Sequence, residues 1–335
     1  MRAFFCVLDR PYVVWCEDVA RENVDFLKSI DHEFYYRLTH DLFFGQGHPS
    51  ENDTDGSEHR KDYSSIARLL WNHGIETLAM LLGAYVQAPH ATPAFFLKCR
   101  NDDTVQIARY LISNSCPKCH YLRDSEFSLR RIVSGIHRCA GWADHDDVVD
   151  RFTRVASTLL QDHARSDHRA EYDSIKHGLR ASHGKFGVAI GVQDGPGIPA
   201  PPERMEMIAS TPDGSHFVSA VALPNISKQP AKIHFKIDHQ SVGWQLDRVL
   251  CELQLLSVLI GNVVSAIQIQ NGTKAGEVKF QRPADVDDWW DLYLSMDHMP
   301  LHNFKFGIDL EVAEESLPTD EDVFEFYRGL DIRRP

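Results

Sequence analysis

Cys116-Pro-Lys-Cys119-His120 is the most motif-like string in the chain. Two thiols with two residues between them can grip one side of a zinc ion, and the imidazole beside them is a ligand of the right kind. A closed tetrahedral site needs more, which His137 with Cys139, or Cys99, can supply. The metal set carried forward is Cys116, Cys119, His120 and Cys139. Against zinc, His137-x-Cys139 is looser than the tight repeat with which such sites usually close. Two cysteines around a Pro-Lys turn are then simply small, partly buried residues. Zinc is the one cofactor this pattern admits, and the competing expectation is no cofactor at all.

Arg131 and His137 have the types needed for phosphate chemistry, and Arg130 and Arg138 add positive charge around them. A guanidinium can steady a phosphate and an imidazole can move a proton, so the pair suits chemistry at a phosphate. The chain holds 18 histidines, so Arg-to-His pairs at this spacing also arise by chance. The spacing alone decides nothing.

A third cluster gathers Lys176, His177, Arg180 and His183 at the end of a helix-periodic stretch. His177 and Arg180 are candidate catalytic residues if something binds at that seam. The simpler reading is a helix terminator. Lys176 and His177 would favour the negative helix end, and Gly178 is placed for the left-handed cap. Elsewhere, His73 and Glu76 lie one turn apart, able to orient an imidazole or merely to tie down a helix face. Asp285, Asp287, Asp288 and Asp291 could gather magnesium or cap a helix beside Trp289-Trp290. Phosphate-cradling glycine loops, His-Glu-x-x-His, a nucleophile elbow and a dinucleotide fingerprint are all missing from the sequence.

The elements that must position these residues change character midway. Val19, Val24, Phe26, Leu27, Ile30, Phe34, Tyr35 and Leu38 form one helical face over 17–43. Residues 45–61 hold turn formers and charges, and read as a mobile loop. Further helices are expected over 62–87 with Asp62 as cap, after Asp102 or Asp103, around 129–136, and as one long run over 145–178. After Gly184 the apolar residues fall into short strand-like runs, at 186–190, 205–208, 216–222 and 232–237. An apolar helix follows over 242–270, then short strands near 277–281 and 303–310 and a short helix near 320–329. The fold class is α+β, with an N-terminal all-helical bundle followed by an antiparallel sheet packed on one long buried helix. The domains are 1–180 and 185–335.

Bulk properties narrow the partners. The 335 residues carry a formal charge of −13, which argues against a broad DNA-binding surface. The cysteines number 7, odd and scattered, as expected for reduced thiols in the cytoplasm. The longest apolar run, Leu253 to Ile269, is interrupted by Gln254, Asn262 and Gln268, so a buried helix is expected and no membrane span. The apolar run within Met1 to Asp9 is too short for a signal peptide, so none is expected there.

Resemblances follow from quoted residues. The helix end Tyr172-Asp-Ser-Ile-Lys-His-Gly-Leu-Arg180 resembles a Tyr-Asn-x-Ile/Leu-Lys-His-Gly-x-Arg end in uncharacterised bacterial proteins, some of them HEPN-like. Tyr85-Val-Gln-Ala-Pro-His90 and Leu97-Lys-Cys-Arg-Asn101 are similar to the same group. Asp173 stands where that pattern has asparagine. The likeness spans about residues 65–190. It implies a helical bundle in a bacterial protein and brings no activity of its own. The helical half also resembles HEPN domains, which implies a defence or toxin-type setting; active members carry Arg-x(4–6)-His on a helix for RNA cleavage, a spacing that Arg68 and His73, Arg130 or Arg131 and His137, and Arg138 and His145 fit, Arg131 and His137 being the best placed. His120, His145-Asp146, His163 and His168, with Asp167 or Asp173, also resemble the metal-ligand series of HD phosphohydrolases, which implies a divalent metal. The leading expectation is a non-catalytic binding or regulatory module with a protein partner. RNA or nucleotide hydrolysis is the alternative, and HD-type hydrolysis the next.

Overall fold

The computed structural model describes residues 1–44, 54–115, 127–142, 144–176, 180–192, 200–211, 213–222, 235–283 and 304–307, together with Tyr293 and Glu325. The chain is α+β, as the change in periodicity predicts. It begins with strands, however. β1 (Arg2–Val7) and β2 (Arg10–Trp15) form an antiparallel hairpin in which Phe4 faces Val13 and Phe5 faces Tyr12. Phe5 and Val7 are buried against the helices, while Phe4 is 79% and Trp15 69% exposed. Leu8 turns with φ 56°, a left-handed conformation that a β-carbon disfavours. The Gln87 amide clamps it there, accepting from the Leu8 N–H at 3.0 Å and donating to the Leu8 carbonyl at 2.8 Å. The expectation of an all-helical segment over 1–180 is corrected accordingly.

The helices follow: α1 (Val19–Ser29), α2 (Phe34–Phe44), α3 (Thr54–Gln87), α4 (Thr92–Lys98), α5 (Asn101–Ile112), α6 (Leu129–His137), α7 (His145–Ala164) and α8 (Ser166–Lys176). Asp18 caps α1 through the Arg21 N–H, and Ser128 caps α6 through the Arg131 N–H. The start of α3 corrects the loop expected over 45–61: from Thr54 onward the chain is helical, and 45–53 lie outside the described residues. The long helix expected over 145–178 is also two. Arg165 is extended at φ −77° and ψ 135°, and Asp167 then supplies an acidic first turn to α8. That break turns His168, Glu171, Tyr172 and Ile175, a helical stripe, inward.

β3 (Ala181–His183), β4 (Phe186–Ile190), β5 (Glu206–Thr211), β6 (Asp213–Ala222) and β7 (Phe235–Trp244) lead into α9 (Leu246–Gln270), and β8 (Phe304–Gly307) comes last. The main sheet runs β3-β6-β7-β8, all antiparallel, and β4-β5 is a separate hairpin. The strand expected near 277–281 is instead one tight turn, Ala275–Glu277, followed by irregular chain. Asp285 to Asp291 lie outside the described residues, as does 320–329 apart from Glu325.

By length and composition α9 could cross a bilayer, and it is mostly buried within the protein. Its largest interface is with α3, then α2, α6 and α1. The approach is close: a β-carbon at Gly74 would lie 3.1 Å from Leu256 Cδ1. The seam at 180–185 is therefore a change of secondary structure through which one core continues, because α9, from the second half, fills the first. Leu256→Ala should cost about 2–5 kcal/mol in urea unfolding. Leu97→Ala, at an exposed site, should stay within about 0.5 kcal/mol of the parent.

Candidate functional site

His137 closes α6 and is only 1% exposed. Asn262 on α9 fixes its state. The Asn262 oxygen accepts from the Gln281 N–H at 2.8 Å, so its amide nitrogen faces the Gln281 carbonyl at 2.8 Å and His137 Nε2 at 3.0 Å. Nε2 is thereby an acceptor, and Nδ1–H donates to the Val133 carbonyl at 2.8 Å. The ring stacks on Phe152 at 4.7 Å and on Trp142 at 5.4 Å. Burial pushes its pKa down to about 4. Arg131 lies on the exposed face of α6, so the two residues do not converge.

The other expected residues are also apart. Arg180 is exposed, and its N–H closes onto the Ser174 carbonyl at 2.9 Å. His177 lies outside the described residues, as do Cys116, Cys119 and His120; Cys139 is exposed in the turn after α6. Among the described residues no group of three or more His, Cys, Asp or Glu is arranged to hold a metal ion. His145 and His163 stand on one helix eighteen residues apart, roughly 27 Å at 1.5 Å per residue. His73 and Glu76 part company too: His73 Nδ1 meets the Tyr35 hydroxyl at 2.7 Å, and Glu76 accepts from the Tyr172 hydroxyl at 3.1 Å.

What the fold does bring together is a buried network of charges. Arg68 on α3 pairs with Glu171 on α8 through Nε at 3.0 Å and Nη2 at 2.7 Å. The two side chains are 2% and 0% exposed. The guanidinium lies 4.0 Å from the Trp71 ring centroid. Glu171 also accepts from Ser215 Oγ on β6, which in turn accepts from the Trp244 indole at 3.2 Å. Alongside, Glu252 on α9 accepts from the Trp71 indole and, at 2.9 Å, from Arg248. Burial pushes the neighbouring Asp162 carboxyl up to about 6, with Glu252 adding to the shift and Arg248 opposing it.

Beside this network lies a narrow cleft, partly open to solvent, with about 20 Å³ of free space, room for about one water. Asn72 and Glu76 of α3, Thr104 of α5, His163 of α7, and His168 and Tyr172 of α8 form its walls, with Arg169 and Asp173 also lining it. Thr104 Oγ donates to the Asn101 carbonyl at 2.8 Å, so the His163 Nε2–H is the donor across their 2.9 Å contact. Burial pushes His163 down to about 4, and Arg169 adds to that. His168 is 2% exposed, and neither ring nitrogen has a hydrogen-bond partner. Burial, then Arg68, Arg165 and Arg248, hold it well below the usual histidine range. Both imidazoles are neutral at physiological pH. Arg169 is ion-paired with Asp102 and lies 4.0 Å from Asp173.

Removing either partner of the Arg68–Glu171 pair should be costly. Arg68→Met or Glu171→Leu alone should lose about 3–5 kcal/mol in urea unfolding. The double variant should lose at least about 2 kcal/mol less than the two losses added together. The buried histidines also set a pH dependence. His137 and His163 have folded pKa values near 4 against an unfolded value near 6.5, so their stabilisation is complete above about 6.5 and is lost as pH falls toward 4. Asp162 has the opposite sign, because its folded pKa is raised and its contribution grows as pH falls through about 6. The net expectation is a loss between pH 6.5 and 4, on the order of 3 kcal/mol for each histidine. His137→Gln should flatten that slope in unfolding curves measured across the window.

Compared with known proteins, the chain matches no family model, no curated protein and no solved structure. The geometry of the described residues therefore carries the functional reading.

Proposed function

We propose that the chain is a non-catalytic binding and regulatory module in which the narrow helical cleft widens to take a small polar ligand. The observation that carries this is His168, a buried imidazole lining a partly open cleft with both nitrogens unpartnered. A buried polar group left unsatisfied costs roughly 1–3 kcal/mol. A ligand atom that reaches the ring removes that penalty.

The regulatory part rests on α8. His168, Tyr172 and Asp173 line the cleft, while Glu171 accepts from Ser215 and Ser174 Oγ reaches the Val218 carbonyl at 3.5 Å. One helix thus touches both the cleft and the sheet. A ligand that moves α8 must also repack Glu171, Ser215 and Trp244. Hydrolysis by Arg131 and His137 has less support, since that imidazole is enclosed by Phe152, Trp142 and Asn262. An HD-type metal series has less support too, since His145 stands far from His163.

The test is a panel of small amines, amides, alcohols, sugars and carboxylates added to the full chain, with histidine side-chain NMR and tryptophan fluorescence as readouts. At least one compound should shift the His168 signals saturably and change the fluorescence, and the fluorescence change should shrink in Trp244→Phe. Labelled RNA incubated with and without chelator should stay intact. No saturable shift with any compound, or cleavage that disappears in His137→Ala, would overturn the proposal.

A further inference from the structure

We infer that the outer face of the β1–β2 hairpin is where a second copy of this chain docks, in a two-fold dimer. The register sets Arg2 beside Trp15, Phe4 beside Val13 and Cys6 beside Pro11 on that face, and turns Phe5 and Val7 to the other, against the helices. Phe4 is 79%, Trp15 69% and Val13 58% exposed. An aromatic side chain offers about 150–250 Å², so these three present on the order of 400 Å² of apolar surface, as much as the largest patch on a typical monomer. Gln87 fixes the Leu8 turn to the end of α3, so little order remains to be lost when the hairpin docks.

Shape and charge name the occupant. Toward the turn of the hairpin lies an open groove with about 360 Å³ of free space, lined by Phe4, Cys6, Pro11, Tyr12, Ala88 and Pro89 among others. Consider two hairpins face to face, related by an axis that crosses both strands level with Phe4 and Val13. Each β2 then lies antiparallel over the other, and a residue two places to one side of the axis covers the residue two places to the other. Trp15 of one copy falls over the partner's Pro11, at the mouth of the groove, and the same contact is made twice. An indole is flat, apolar and small enough for that space. The three exposed side chains of both copies cover about 800 Å², and the groove linings bring the total toward the roughly 1,200 Å² of specific interfaces. The chain carries a charge of −13, yet residues 2–15 hold Arg2 and Arg10 against Asp9 alone, so two acidic copies can approach across this face. A lipid surface suits it less, because two arginines on a strongly acidic molecule draw little on anionic headgroups.

The test measures the mass of the full chain in solution, by sedimentation and light scattering over a range of concentrations. The parent should pass from monomer to dimer with a dissociation constant on the order of micromolar. Trp15→Ser should weaken the dimer at least about ten-fold, with circular dichroism unchanged. Val13 meets the partner's Val13 on the axis, so Val13→Lys and Val13→Glu should each be monomeric alone, and an equimolar mixture of the two should dimerise. Met207→Lys, at an exposed site on β5, should leave the dimer intact. A parent still monomeric at about a hundred times the expected dissociation constant would overturn the inference. So would a dimer indifferent to Trp15 and Val13, or Lys and Glu variants that stay apart when mixed. A monomer that sediments with phosphatidylcholine vesicles, and no longer does so in Trp15→Ser, would give the face to a lipid surface and overturn it too.

Discussion

Taking a guanidinium and a carboxylate out of water costs several kcal/mol per ion, and mutual attraction repays it only when the geometry is good and the remaining hydrogen-bonding capacity is used. At Arg68 and Glu171 both conditions hold. The pair is a two-pronged contact, the guanidinium lies over Trp71, and the carboxylate gains a third donor in Ser215. Those partners come from α3, α8 and β6, so the pair is satisfied only when the helices and the sheet are assembled together. The helical half and the strand half meet here over a polar centre. Apolar contacts around it supply most of the favourable free energy, and the ions specify which surfaces may meet. The cleft depends on the same arrangement, because α8 presents Glu171 to the network and the next residues around the turn to the cleft.

The division into helix-rich and strand-rich halves was legible because the apolar period changes after Gly184. The apolar stretch that becomes α9 was legible for another reason: few segments in a chain of ordinary composition are so continuously apolar. Its destination was not. Nothing local says that Leu256 packs at Gly74, since packing partners are chosen in three dimensions. The first hairpin escaped notice because its outer face is apolar as well: Phe4, Val13 and Trp15 erase the alternation that would have marked it. The break at Arg165 escaped because helical spacing carries on across it.

Of the site, one half left a mark in the sequence. Arg68 sits in the run Ile66-Ala-Arg-Leu-Leu-Trp71, where a cation on a core-facing helix is out of place and asks for a partner. That partner is 103 residues away, and no spacing rule reaches it. His163 and His168 were visible as members of a histidine series, and the fold retains these two together while sending His145 to the far end of α7. His137 shows the limit most plainly. Its identity and neighbours in sequence suit acid–base chemistry, and only the positions of Phe152, Trp142 and Asn262 reveal a ring locked into the interior.

The path of α9 has a consequence for how the chain is made. Trp71 on α3 meets Glu252 on α9, 181 residues later, so the first helices emerge from the ribosome long before the helix that covers them. Until α9 arrives, the face of α3 around Trp71 and Gly74 lacks the helix that covers it, and long-range closure of this kind is slow. Synthesis at about 5–20 residues per second leaves that apolar face uncovered for roughly 10 to 40 seconds. The nascent helical half is therefore a natural client for chaperones, and it reaches its native packing only after most of the strands have been translated.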